Sequence, residues 1–269
     1  MNARRASQVP ARLMFLGTGT SHGVPMIGCT CSVCRSTDPR DKRLRPSIYL
    51  DVPTHVKLLV DTSPDFRQQA LVHELARVDA VLFTHSHADH ILGLDELRRF
   101  NAIQGGAIPC YANAPTWETL RQTFSYIFDG VTRLGGGIPE LDPHEIAGPF
   151  SVGGVRVVPV PVWHGLMPVL GFRFGNVAYL TDCNRLDDSA WALVDGVDTL
   201  IIDALRDRPH STHFSLNEAL EVVARIKPRR AFTTHTTHDL GHAATSARLP
   251  AGVELAYDGL VLDVSVDVE

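Results

Sequence analysis

Four apolar runs in this chain stop abruptly on a histidine or an aspartate. They are AVLFT before His85, VVPVPVW before His164, VAYLT before Asp182 and RAFTT before His235. Short, β-branched, apolar segments need burial as strands, and a histidine or carboxylate ending such a segment needs a partner. A fold that sets these strands side by side can bring their polar ends to one edge, where a crevice forms.

The surrounding pattern fills in the fold. RLMFLGT, SIYLDV and VKLLVD read as three early strands. A helix is predicted after Ser63 as N-cap, with Pro64 at its first position and an apolar face of Phe66, Ala70, Leu71 and Leu75. Further on come a helix near LDELRRF, a strand near IPCYA and a helix over 115–128. Residues 129–145 read as a long irregular segment of the kind that is often functional. VLGFRF and VAYLT form a hairpin through Gly175 and Asn176, followed by a helix near DDSAWALV and the strand TLIID. Ser215 and Glu218 have capping-box spacing for a helix that Pro228 closes, and VELAYD and LVLDVSV are a terminal pair of strands. Strands first, then alternation, then strands again predict an α/β fold of two sheets covered by helices. Residues 1–11 are expected to be a flexible leader and 12–269 a single domain, because no repeat or low-complexity linker divides the chain.

The most specific motif is HSHADH. His85 and His87, two apart on an extended loop, can grip one divalent ion; Asp89 and His90, at the onset of the next turn, point elsewhere and can grip a second. Gly93 lets the chain approach closely just after them. His22, His55, His73, His144 and His242 are read as ordinary loop or core histidines. Three of the five cysteines crowd into CTCSVC, where Cys29, Cys31 and Cys34 cannot all bridge one another, so a metal clip is the better reading. Cys110 and Cys183 read as small buried hydrophobes. A net charge of −5 argues against a protein that coats nucleic acid, and no stable nucleic-acid partner is expected. No apolar run is long enough to span a bilayer, so the expectation is a cytoplasmic protein without a membrane partner.

His85-x-His87-x-Asp89-His90 followed by His164, Asp182 and His235 resembles the metallo-β-lactamase superfamily. That resemblance implies an αββα sandwich of two mixed sheets flanked by helices, with a dinuclear site of zinc or manganese at one edge. It assigns His85, His87 and His164 to one ion and Asp89, His90 and His235 to the other, with Asp182 bridging and Asp61 supporting from behind. Within the superfamily, FLGTGTSHGVPMIGCTCSVC, HFSLNEAL, THTTH and AYDG are similar to the cyclic-phosphate phosphodiesterases of the carbon–phosphorus lyase pathway, and more distantly to tRNase Z. This nearer resemblance implies a structural zinc held by Cys29, Cys31, Cys34 and His238. It also implies a homodimer, and hydrolysis of a small cyclic phosphodiester, such as 5-phosphoribosyl 1,2-cyclic phosphate or a 2',3'-cyclic nucleotide, by a metal-bridging hydroxide.

His210 heads a literal HST, but in the tRNase Z motif an alanine follows the histidine by six positions, and here Ala219 follows His213 by that interval. His213 is therefore the expected general acid, acting in the reaction with Asp89. GTGTSHG is rejected as a dinucleotide fingerprint, because His22 stands where the third glycine belongs. His22 and the segment 129–145 are open as walls of the pocket, and Arg67, Arg98, Arg206 and Arg208 are open as phosphate contacts. Competing readings are another hydrolase on the same scaffold (a tRNase Z-like nuclease, a thioesterase or a lactonase) and a non-enzymatic metal-dependent nucleotide-binding protein.

Overall fold

The computed structural model describes residues 7–131 and 137–269. Its strands are β1 (Ser7–Gly17), β2 (Ser47–Val52), β3 (Val56–Val60), β4 (Ala80–Leu82), β5 (Ile108–Ala112), β6 (Leu141–Glu145), β7 (Phe150–Val152), β8 (Val155–His164), β9 (Met167–Phe174), β10 (Val177–Leu180), β11 (Thr199–Asp203), β12 (Arg230–Thr234), β13 (Val253–Leu255) and β14 (Val261–Val268). The helices are α1 (Phe66–Val72), α2 (Ala88–Ile91), α3 (Leu97–Gln104), α4 (Ala114–Thr123), α5 (Ser125–Phe128), α6 (Asp188–Val194), α7 (Leu216–Ile226) and α8 (His242–Ser246).

Hydrogen bonding runs in the order β13-β12-β11-β10-β9-β8-β14-β1-β2-β3-β4-β5-β6, with β7 beside β8. Long β8 joins two halves: its start touches β14, and the rest pairs antiparallel with β9. Pairing in the first half is antiparallel from β14 to β3 and parallel from β3 to β6. In the second half β10, β11, β12 and β13 run parallel. Each half is therefore a mixed sheet.

The halves pack face to face. Leu13, Phe15, Leu50 and Leu262 from one meet Phe172, Phe174, Tyr179 and Phe232 from the other, and the Phe15 and Phe232 rings lie 6.2 Å apart. A second apolar layer places Leu200 and Ile202 under Ala190 and Val194 of α6 and Ala219 and Val222 of α7. A third places Leu59 and Phe83 under Phe66, Phe100, Trp117 and Leu120 of α1, α3 and α4. The result is the αββα sandwich. TLIID is buried at every position because Ile201 faces the central layer and its neighbours face the helices, so the strand reads as a continuous apolar run.

Several expectations are corrected. Ser7–Ala11 are not leader but the first part of β1, laddered to Val264–Val268; residues 1–6 lie outside the described residues. The helix expected from Pro64 begins at Phe66, because the Ser63 hydroxyl accepts the Asp65 N–H (3.2 Å) and its carbonyl accepts that of Phe66 (2.9 Å), making a turn first. Its face differs too: Leu71 is 62% exposed, while Gln69 is buried, donating to the Arg45 carbonyl (2.9 Å). The helix over 115–128 breaks at Phe124 into α4 and α5. The segment expected to be irregular contains β6, a polar edge strand beside β5; its residues 132–136 lie outside the described residues. The terminal strands do not pair together, since β13 lies at the outer edge beside β12 while β14 lies between β8 and β1. Among the described residues, no helix is long and apolar enough to cross a membrane.

Candidate metal centre

The seven residues expected at the two-ion site, and the supporting Asp61, sit where apolar strands end. Asp61 follows β3 and the HSHADH stretch follows β4, both in the first half; His164 ends β8, Asp182 follows β10 and His235 follows β12 in the second. Parallel neighbours send their C-terminal ends to the same rim, which is why residues far apart in sequence meet there. Asp61, Asp182 and His235 adopt left-handed backbone (φ 63°, 51° and 58°), a conformation costly for side-chain-bearing residues and concentrated at functional sites. After α2 the chain must pass Ser63: a Cβ on Gly93 would stand 2.1 Å from the Ser63 carbonyl oxygen, so the close approach requires glycine.

Asp182 is the centre of the cluster. Its carboxylate lies 3.1 Å from His90 Nε2, 3.2 Å from His235 Nε2 and 4.0 Å from His85 Nε2. Asp89 lies 3.5 Å from both His90 Nε2 and His235 Nε2. The His164 ring is 5.0 Å from that of His87 and 5.8 Å from that of His85, and its donor atom converges with those of Asp182 and His213. All are buried except His87. All seven expected ligands thus share one crevice.

The neighbours fix which nitrogen faces inward. Asp61 accepts from Thr84 N–H and Oγ1–H (both 2.8 Å) and from His90 Nδ1–H (2.7 Å), turning His90 Nε2 to the cluster. The Thr212 carbonyl accepts from His164 Nδ1–H (2.8 Å) with the same effect. Burial holds His85 and His164 below the ordinary imidazole range, and partial desolvation at the crevice mouth lowers the more open His87 as well, so all three are neutral and able to ligate. His90 stands well above that range: burial opposes its charge, but Asp182, Asp89 and Asp61 outweigh burial.

The donor set fits divalent cations. His85 Nε2 and His90 Nε2 are buried without a hydrogen bond. Among the described residues, no lysine or arginine pairs with Asp61, Asp89 or Asp182, so the crevice holds carboxylate charge that only imidazole answers. Buried charge without such an answer is expensive, and imidazole with carboxylate is the donor chemistry of zinc and manganese.

His213 stands at the cluster's side, its ring stacked 4.8 Å from that of His235 and edge-on at 4.5 Å to that of His164. Asp203, which the sequence reading missed, ends β11 and accepts from His213 Nδ1–H at 2.7 Å and from the Cys183 N–H at 2.9 Å. Burial works against charge on His213, yet Asp203 raises it to about 9. The signal was available: TLIID ends on Asp203, much as VAYLT gives way to Asp182. His210 is half-buried, with its ring 5.2 Å from that of His213. Cys29, Cys31 and Cys34 place their sulfurs 3.2, 3.4 and 3.4 Å from His238 Nδ1. A hydrogen bond from the Cys34 N–H is the main reason the Cys31 thiol falls to about 6. Among the described residues, His22, His55, His73, His144 and His242 join no such group.

A double-sheet sandwich with a histidine–aspartate crevice at its rim defines a metallo-β-lactamase-type hydrolase. The match is direct: residues 57–236 fit the family described as the beta-lactamase superfamily domain. The chain belongs to that superfamily and, within it, to the PhnP family, since a crystal structure of a new diphosphatase from that family shares 42% identity over 97% of this chain and 100% of its own, at a TM-score of 0.91. An octanoyltransferase of Porphyromonas gingivalis is 35% identical over 93% of this chain, but the chain spans only 51% of that protein's length. Human tRNase Z, short form, shares the fold at 19% identity, a TM-score of 0.69 and coverage of 93% and 98%.

Proposed function

We propose that this hydrolase opens a small, cyclic phosphodiester with the help of two divalent ions, zinc or manganese. His85, His87 and His164 would hold one ion, Asp89, His90 and His235 the other, and Asp182 would be shared. The observation that carries this reading is the position of Asp182, whose single carboxylate lies within reach of imidazoles from both halves of the sandwich. When bound, the ions would supply Lewis-acid charge for the phosphoryl oxygens and make water acidic enough to act as nucleophile near neutrality.

The chain's own residues do the rest. Asp61 and the Thr212 carbonyl hold His90 and His164 in the ligating orientation. Asp203 holds the Nδ1 proton of His213 and leaves Nε2 to give its proton to the departing oxygen. Cys29, Cys31, Cys34 and His238 would bind a structural zinc that ties the N-terminal loop beside the crevice. The similarity to a PhnP-family diphosphatase supports a second reading, in which the bond cleaved is a phosphoanhydride. The two differ in what the leaving group needs, since an alkoxide requires a proton and a phosphate does not.

Metal analysis of the purified protein, with a panel of a 2',3'-cyclic nucleotide, 5-phosphoribosyl 1,2-cyclic phosphate, phenyl diphosphate, a thioester and a lactone, tests the reading. Two exchangeable ions besides one tightly held zinc, with cyclic-ester turnover, are expected. Thioester activity alone would sink it, and tight nucleotide binding without hydrolysis would make the chain a sensor instead.

A further inference from the structure

His213 stands on a stretch without helix or strand, residues 204–215, between the end of β11 and the start of α7. A proton donor on such a stretch needs a scaffold, because roughly 1 Å of misplacement can cost about a hundredfold in rate. Asp203 holds one nitrogen of the ring, but a single hydrogen bond leaves the ring free to swing about it. The backbone beside the ring is held from elsewhere. Ser211 and Thr212 offer two successive carbonyls: the first accepts from Asn184 Nδ2–H at 2.9 Å and the second from His164 Nδ1–H at 2.8 Å. The other end of the Asn184 amide accepts the Gly165 N–H at 2.9 Å, and the Asn184 N–H donates to the Trp163 carbonyl at 2.8 Å. Gly165, with φ 64°, lies directly against the turn, where a Cβ would stand 2.8 Å from Thr212 Cγ2.

Asn184 therefore joins three segments: the end of β8, which carries His164; the turn, which carries His213; and its own, just past Asp182. The chemistry of its side chain fits the position. The Gly165 N–H needs an oxygen and the Ser211 carbonyl needs an N–H, and an amide offers one of each at opposite ends of a short, planar group. An aspartate would keep the first bond and lose the second. We infer that Asn184 is a positioning residue for the proton donor: it locks the turn bearing His213 to the strand end bearing His164, so that the two rings keep their 4.5 Å edge-on separation. The inference rests on the proposed role of His213. Loss of the lock is felt where the leaving oxygen needs a proton and little where it does not.

The experiment measures kcat and KM for a 2',3'-cyclic nucleotide and for bis(4-nitrophenyl) phosphate in the zinc-loaded wild type, Asn184→Ala and Asn184→Asp, and repeats Asn184→Ala in a His213→Ala background. On the cyclic nucleotide, Asn184→Ala should lower kcat by about tenfold to a hundredfold with KM moved less than about threefold, and Asn184→Asp, which cannot donate to Ser211, should fall as far. The nitrophenyl ester should lose at most about threefold in either variant, since its leaving group departs unaided. In the His213→Ala background the alanine substitution should cost nothing further, because the residue it positions is gone. Equal losses on the two substrates, losses that multiply with that of His213→Ala, or wild-type turnover in Asn184→Asp would each overturn the inference. If neither substrate reacts in the wild type, the hydrolytic reading has failed, and NMR of zinc-loaded protein with isotope-labelled histidine decides the lock independently. The hydrogen-bonded Nδ1 protons of His164 and His213 should then exchange with solvent at least about tenfold faster in both Asn184 variants than in the wild type. Equal exchange in all three proteins removes the lock.

Discussion

Replacing Asp203 by asparagine tests the acid side of the reaction without changing the shape of the site. The amide keeps an acceptor for the Cys183 N–H but removes the charge that raises His213 to about 9. At pH 8 a donor with that value is about 90% protonated, whereas one at the ordinary 6.5 is only about 3% protonated, and burial would lower it further. Turnover at pH 8 should therefore fall about thirtyfold on a 2',3'-cyclic nucleotide, whose alkoxide needs the proton. Activity is lost as pH rises through the donor's value, so the alkaline limb of kcat should move down by about two pH units or more. Neighbouring cations would displace both limbs in the same direction, which makes the separation between wild type and variant the quantity to measure. A bis(4-nitrophenyl) phosphodiester should lose far less, because nitrophenolate leaves unaided. Equal metal content with an unmoved alkaline limb would refute the Asp203–His213 coupling.

Three further perturbations probe the same architecture. His213→Ala should cut cyclic-ester turnover by about a hundredfold or more with metal content unchanged by elemental analysis, and unaltered turnover would remove His213 from the reaction. Cys34→Ser should release the tightly held zinc and lower the melting temperature by about 5–10 °C, the consequence of losing about 2–3 kcal/mol in a chain of this size; a zinc-replete variant with unchanged melting would refute the clip. Gly93→Ala drives a Cβ to 2.1 Å from the Ser63 carbonyl, so α2 must shift, and metal affinity should drop at least tenfold in competition with a chelator; wild-type affinity would show that the approach is not tight.

The candidate site was more legible than the fold around it. HSHADH carries its own signature, and the strand-to-polar transitions at His164, Asp182 and His235 are visible because burial and charge change within one residue. The capping box at α7 was equally legible: the Ser215 N–H donates to the Glu218 carboxylate at 2.7 Å, and the Ser215 hydroxyl accepts the Glu218 N–H at 3.3 Å. What escaped depended on partners distant in sequence. Asp203 acts on His213 from the end of another strand. Gln69 is buried because a carbonyl from the loop before β2 receives its amide, which helical periodicity cannot register. β6 reads LDPHE and is an edge strand without an apolar stripe, so only its ladder to β5 identifies it. Ser7–Ala11 are legible only through β14, at the opposite end of the chain.

The expected donors come from both leaves of the sandwich, with His85 to His90 from one and His164 to His235 from the other. A polypeptide halted before His235 would lack part of the grip, and neither leaf alone offers the full set. With the proposed ligand set, ion uptake would be a readout of completed assembly, and stripping the ions should loosen both leaves at their common rim, making chelators a probe of conformation as much as of reactivity.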